Sequence, residues 1–175
     1  MLDIAICHQE EIKQKMRRIW FEDKYKFFNY ATHYSDYTPS EDTWEQHEFV
    51  SIGGSGAVIG LISYKVERQA NYCYGLAIIN FSENKFVFGV DLEKALKDIF
   101  TKFNFNKLKF SVVIGNPIEK AYDKAIKRYG GKIIGIEKQE TRLIDGKLYD
   151  VKRYEIMRSD YLEAIHTMKG DKKEK

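Results

Sequence analysis

Apolar residues change their spacing several times along the chain, and each change marks a new element. A short strand over Leu2 to Cys7 comes first, then Ile12, Met16, Ile19 and Trp20 recur at helical intervals and predict a first amphipathic helix. The polar, aromatic segment Phe21 to Trp44 reads as helix and loop. Residues 48–52 and 57–66 read as two strands joined by the glycine turn 53–56, and Cys73 to Phe81 completes an antiparallel meander. Leu92, Ala95, Leu96, Ile99, Phe100 and Phe103 then form a helical stripe, with Asp91 placed as its N-cap. Leu108, Phe110, Val112 and Ile114 alternate as a strand. Asn116 as cap and Pro117 at the first helical position open a further helix, which buries Ile118, Ala121, Tyr122, Ala125, Ile126 and Tyr129 and ends at Gly130-Gly131. Strands around Lys132 to Ile144 and Lys147 to Met157, turning at Asp145-Gly146, finish the order.

Composition narrows the classes. The chain has 175 residues, 43% hydrophobic and 31% charged, enough for one domain with a real core over residues 1–168; the charged stretch 169–175 is expected to stay disordered. The net charge of +3 does not mark a nucleic-acid binder. Two cysteines, Cys7 and Cys73, without Cys/His clusters, speak against a disulfide scaffold and a structural metal. The first fifteen residues lack the apolar core of a signal peptide and the length of a membrane span, so a cytoplasmic protein is expected. With 12 Tyr, 11 Phe and only two prolines, the chain favours a packed, sheet-containing fold.

The order strand, helix, meander, helix, strand, helix, hairpin resembles the GNAT superfamily of acyl-CoA-dependent N-acetyltransferases over nearly all of residues 2–160. The most specific portion is LKFSVVIGN (108–116), AYDKAIKRYGGKIIG (121–135) and RLIDGKLYDVKRYEI (142–156), similar to the end of the ribosomal-protein and amino-sugar acetyltransferases. The resemblance implies an α+β (mixed α/β) fold with a mostly antiparallel twisted sheet of about seven strands flanked by helices. It implies acetyl-CoA as cosubstrate, with no metal, and direct transfer of acetyl to a primary amine through a tetrahedral intermediate. The acceptor is then a small amine, or a protein N-terminus or lysine; a homodimer is also compatible with the family.

The same resemblance assigns roles. The pantetheine arm lies between the splayed strands Cys73–Phe81 and Lys107–Gly115, where the backbone N–H groups of Leu76, Ala77 and Ile78 polarise the thioester. The pyrophosphate sits at the start of the following helix, where free N–H groups favour anions. The family's glycine-rich loop is replaced here by Val87, Val90 and Leu92; Gly89 survives one place displaced, so Gly89 and Val90 are the cofactor-loop candidates. Asp91 and Glu93 bring negative charge there, each opposing phosphate by about 0.3–1 kcal/mol if exposed at the helix start.

Asn116 matches an asparagine that bonds the cofactor, and is equally explained as a helix cap. The family's acid is a Tyr two turns after that Asn. Counting back from Gly130 puts Ile126 at that place, with Tyr122 one turn earlier and Tyr129 beside the glycine; Tyr122, nearer the Asn116 end, is the better candidate. For the general base, Glu83 lies just past the strand, with Glu48, His33 and His47 as further candidates, all read as solvated. Tyr25, Phe27, Phe28, Tyr30, Tyr34, Tyr37 and Trp44 fall where the family builds its acceptor pocket, and Lys120, Lys124 and Lys127 share a face within reach of CoA phosphates. A second reading is a GNAT-fold protein that has lost the cofactor and serves as a structural or interaction component, as in some phage particles. The altered loop at 87–92 favours it.

Overall fold

A computed structural model describes residues 1–19, 21–28, 37–83 and 85–170. Strand β1 (Leu2–Ile4) is shorter than anticipated. The backbone N–H of Ile4 bonds the Asp3 carboxylate, His8 pairs with the same group, and residues Ala5–His8 form a 3₁₀ turn that buries Ala5. Helix α1 (Gln9–Ile19) follows, with Ile12, Met16 and Ile19 buried as their spacing requires; Trp20 lies outside the described residues. The meander is β2 (Gln46–Ile52), β3 (Val58–Glu67) and β4 (Tyr72–Asn80). Gly56, at φ +82, makes the β2–β3 turn, so residues 53–56 form a hairpin loop.

Helix α2 (Lys85–Thr101) starts six residues before Asp91. Asp91 is therefore not a cap: it is 6% exposed, accepts a hydrogen bond from the Ser51 hydroxyl, and pairs with the Met1 nitrogen at 2.8 Å. Strand β5 (Lys107–Val113) leads through a tight turn into α3 (Glu119–Arg128). That helix begins beyond Pro117, with Asn116 in the turn before it. Gly130 at φ +72, with the Gly131 N–H bonded to the Ile126 carbonyl, closes it as a Schellman turn. Strands β6 (Lys132–Arg142) and β7 (Leu148–Met157) form the anticipated hairpin.

A last helix, α4 (Arg158–Gly170), follows β7 and is absent from the elements that spacing predicts. Tyr161 holds it by stacking on Phe100 with ring centres 4.6 Å apart, and the Arg158 guanidinium donates to the Phe100 carbonyl. Residues 171–175 of the expected tail lie outside the described residues.

The seven strands make one sheet in the order β1-β2-β3-β4-β5-β7-β6, antiparallel everywhere except between β4 and β5. Helix α1 covers one face, packing Ile12, Met16 and Ile19 on Val50, Leu61 and Ile79. The other face carries the larger core, where Ile99, Phe100, Ile126 and Tyr161 from the remaining helices meet Leu108, Phe110, Tyr154 and Ile156. Each such side chain contributes about 1.5–3 kcal/mol by leaving water.

Candidate active site

The parallel pair β4–β5 is the weak seam of the sheet. It is registered only at Tyr72 with Lys107 and Cys73 with Leu108. Beyond that point β4 stays with β3 as far as Asn80, and β5 stays with β7 as far as Val113, so the two strands splay apart. A bulge drives the departure. Between the pairs Ser63–Ala77 and Lys65–Tyr74, β4 carries an extra residue, and Gly75 takes φ +64, a conformation in which a Cβ is unfavourable. The edge of Leu76, Ala77 and Ile78 that faces the split is thus without a strand partner.

A cavity of 630 Å³ opens at this seam. Tyr64, Tyr72, Phe110 and Tyr154 line it toward the split, and Ala77, Ser111, Ser63 and Glu48 line the α1 side. Glu48 is its most deeply placed acid. Only 7% exposed, its carboxylate accepts hydrogen bonds from the Tyr37 hydroxyl and the Ser40 N–H. It stands opposite Ser63, which stands opposite Ala77, so its Cα lies two strand spacings, about 10 Å, from the bulge region. The outer rim is charged but largely self-paired, through Lys107–Glu155 and Arg153–Glu137.

The anticipated residues divide between this site and elsewhere. Leu76, Ala77 and Ile78 lie on β4 along the split. Tyr122 sits on α3 with its ring edge-on to Phe110 at 5.2 Å and to Tyr154 at 6.0 Å, behind the wall of the seam. Burial, with a smaller effect of Tyr154, pushes its hydroxyl well above the ordinary tyrosine range, so it stays protonated at neutral pH. Tyr129 is instead tied to Glu93 and the α4 ring Tyr161. Asn116 follows the end of β5, its side-chain oxygen accepting the Ile118 N–H at 3.1 Å.

Glu83 is not beside Tyr122 or in the cavity: its side chain is 93% exposed and pairs with Lys24 at 3.5 Å. Gly89 and Val90 do not form a loop, because both lie inside α2, where backbone N–H groups are spent on the helix itself. Helix α2 starts at Lys85, and no acid lies in its first turn. Glu93 is directed to Arg128 at 2.9 Å, so neither Asp91 nor Glu93 opposes an anion there.

Two of the base candidates are not solvated. Glu48 is the cavity acid already described. His47, its neighbour on β2, turns to the other face among Phe49, Tyr64, Phe103 and Phe105, and its Nδ1 shares a hydrogen bond with the Tyr64 hydroxyl at 3.0 Å. Burial, helped by Arg68, depresses its pKa. The alternation of β2 could have separated this pair, since adjacent strand residues face opposite ways.

Among the aromatic candidates, Tyr25, Phe28 and Tyr37 pack under α1, Phe27 leans on Tyr149, and Trp44 is stacked on Arg68 at the surface. His33, Tyr30 and Tyr34 lie outside the described residues. Lys120, Lys124 and Lys127 are exposed on α3. Among the described residues no cluster of His, Cys, Asp or Glu could hold a metal, and no helix is long and apolar enough to cross a membrane.

A seven-stranded sheet split at a single parallel pair, with a bulged strand on one side of the split, defines the GNAT-superfamily fold, as the sequence resemblance implied. Solved N-acetyltransferase structures share it. A chimera of the Vibrio cholerae spermidine N-acetyltransferase SpeG and hSSAT is 25% identical, over 69% of this chain and 73% of that one, with a TM-score of 0.59. The Vibrio cholerae spermidine/spermine N-acetyltransferase SpeG in complex with manganese ions is 24% identical, over 70% and 71% of the two chains, at 0.60. A second SpeG–hSSAT chimera matches 93% of this chain and 99% of that one at 21% identity and a TM-score of 0.68. No protein-family model and no curated protein sequence matches the chain.

Proposed function

We propose that the protein is an acetyl-CoA-dependent N-acetyltransferase that acetylates a primary amine held in the cavity between α1 and the split sheet. The observation that carries this reading is the β4–β5 split itself. Its unpartnered β4 edge fits an extended, amide-containing arm, which can bond there as an added strand does. Bound acetyl-CoA supplies the activated acetyl group. Backbone N–H groups at Leu76 to Ile78 polarise the carbonyl under attack. The start of α2, where the helix dipole favours an anion, and the Lys85 ammonium hold the anionic end, in place of Gly89 and Val90. Asn116, just beyond the far end of β5, is the remaining candidate contact to the cofactor.

The Tyr122 hydroxyl supplies the proton taken up by the departing sulfur, a role that requires the protonated form its burial maintains. Glu48 replaces Glu83 as the carboxylate that meets the acceptor. At about 10 Å from the bulge it anchors a positive charge rather than taking the proton of the reacting nitrogen. The solved neighbours are named for spermidine, so polyamines head the acceptors to assay, ahead of aminoglycosides and peptide N-termini. Residues 87–92, whose departure from the glycine-rich pattern favours a cofactor-free structural role, lie within α2 and not in a damaged loop.

Titration with acetyl-CoA tests the reading directly. Ligand at about 100 times its Kd raises native stability by roughly 2.7 kcal/mol, read as a rise in Tm. An unmoved Tm at millimolar acetyl-CoA overturns it. With an acceptor in hand, Tyr122→Phe lowers kcat with little change in the KM for acetyl-CoA, whereas Glu48→Gln raises the KM for the amine alone.

A further inference from the structure

The charged side chains on the wall of the cavity at the split are Glu48, Lys65, Lys109, Glu137, Arg153 and Glu155. Most of them are engaged. Arg153 pairs with Glu137, Glu155 pairs with Lys107, and the Lys109 ammonium lies over the Tyr72 ring at 4.9 Å. Glu48 and Lys65 remain. The Glu48 carboxylate accepts from neutral donors, the Tyr37 hydroxyl and the Ser40 N–H, and meets no cation among the described residues. A carboxylate has about four acceptor sites, so it has room for a further donor. Lys65 is exposed, and its ammonium has no ion-pair partner among the described residues.

Strand register sets these two unmatched charges side by side. Glu48 stands opposite Ser63, and Lys65 is two residues further along β3, so all three share a face of the sheet. One strand spacing across and two residues along separate the Cα atoms of Glu48 and Lys65 by about 8 Å. The carboxylate is buried and the ammonium stands at the mouth. On the other side of β3, Ser63 faces Ala77 and Lys65 faces Tyr74, so the bulge at Gly75 adjoins the pair.

A ligand carrying only positive charges satisfies Glu48 but is repelled by Lys65. A zwitterionic head group satisfies both, with its ammonium on Glu48 and its carboxylate on Lys65, each through a charge-assisted hydrogen bond of about 2.8 Å. We propose that the acceptor is a diamino carboxylic acid, held by its α-ammonium at Glu48 and its α-carboxylate at Lys65 and acetylated on its side-chain amine. This rests on the acetyltransferase reading above and narrows its acceptor. The side-chain nitrogen attacks the acetyl carbonyl, and the C–N bond forms as the C–S bond breaks. The nitrogen releases one proton while the departing sulfur takes one up. Glu48, about 10 Å from the bulge, stays a carboxylate throughout.

Two pairs of probes differ only by the carboxylate: free lysine against cadaverine, and ornithine against putrescine. Release of the CoA thiol from acetyl-CoA measures transfer to each, with thermal melts as the folding control. The amino acids are expected to exceed their decarboxylated counterparts roughly tenfold in kcat/KM, the worth of one charge-assisted bond. Lys65→Met raises the KM for the amino acids by a similar factor and lowers it for the diamines, whose second charge it no longer repels; Lys65→Arg restores the wild-type order. Mass spectrometry of the product places the acetyl group on the side-chain nitrogen. Diamines used as well as the amino acids, a Lys65→Met effect equal on both classes, or acetylation of the α-nitrogen overturns the proposal. A protein that gains Tm with acetyl-CoA yet acetylates none of the four probes overturns this acceptor and leaves the acetyltransferase reading standing, whereas an unmoved Tm overturns both.

Discussion

The two cysteines have opposite surroundings. Cys7 is exposed at the end of the first turn, while Cys73 is fully buried where β4 leaves β5. Burial pushes the Cys73 thiol up to about 12, with Arg68 opposing only in part. A thiol-specific reagent at pH 8 is expected to label one cysteine per native chain and the second only after denaturation; two native equivalents of similar rate contradict this. His47 gives a pH signature. Its ordinary pKa of 6.5 is lowered in the fold, so the unfolded chain binds the extra proton first and stability falls as pH drops below about 6.5. His47→Gln should flatten that part of the stability profile; an unaltered slope means another group causes it.

At the level of elements, helix α2 depends on one glycine of the strand beneath it. A Cβ on Gly60 stands 2.2 Å from the Phe88 ring and 3.0 Å from the Ile79 carbonyl, so Gly60→Ala forces helix and strand apart. The expected loss is about 1–3 kcal/mol in denaturant unfolding, against little change for Gly54→Ala, where nothing lies within 4 Å. Equal effects at the two positions contradict the contact. This packing also explains where the sequence could be read and where it could not. Elements with one strongly apolar face, such as α1 and the meander, were legible from spacing alone. The start of α2 was not, because Phe86, Val87, Phe88 and Val90 are apolar on every side and mask the period, which left Asp91 looking like a cap. The one-residue slip that turns Gly75 into a bulge has no periodic signal, and α4 is held mainly by Tyr161 and Arg158. Glu48 was visible as a strand carboxylate, but its burial comes from Tyr37 and Ser40, neither of which its own strand contains.

Over the whole molecule, the sheet is two antiparallel halves joined by two residue pairs at Tyr72 and Cys73. A ligand lying in the split adds the missing strand contacts. Acetyl-CoA should therefore slow hydrogen exchange at Leu76 to Ile78 and at 110–113 more than at β1 or β2, where pairing is already complete; a uniform or absent effect places the ligand elsewhere. The cavity at that split draws on both faces of the sheet, with Phe110 and Tyr154 from one and Ala77, Ser111 and Glu48 from the other. Donor and acceptor can accordingly arrive from opposite sides, and neither must leave before the other enters. Initial rates measured over a grid of both substrates should give intersecting reciprocal lines, the pattern of a ternary complex. Parallel lines require an acylated enzyme, and the cysteine beside the split, Cys73, is buried and protonated.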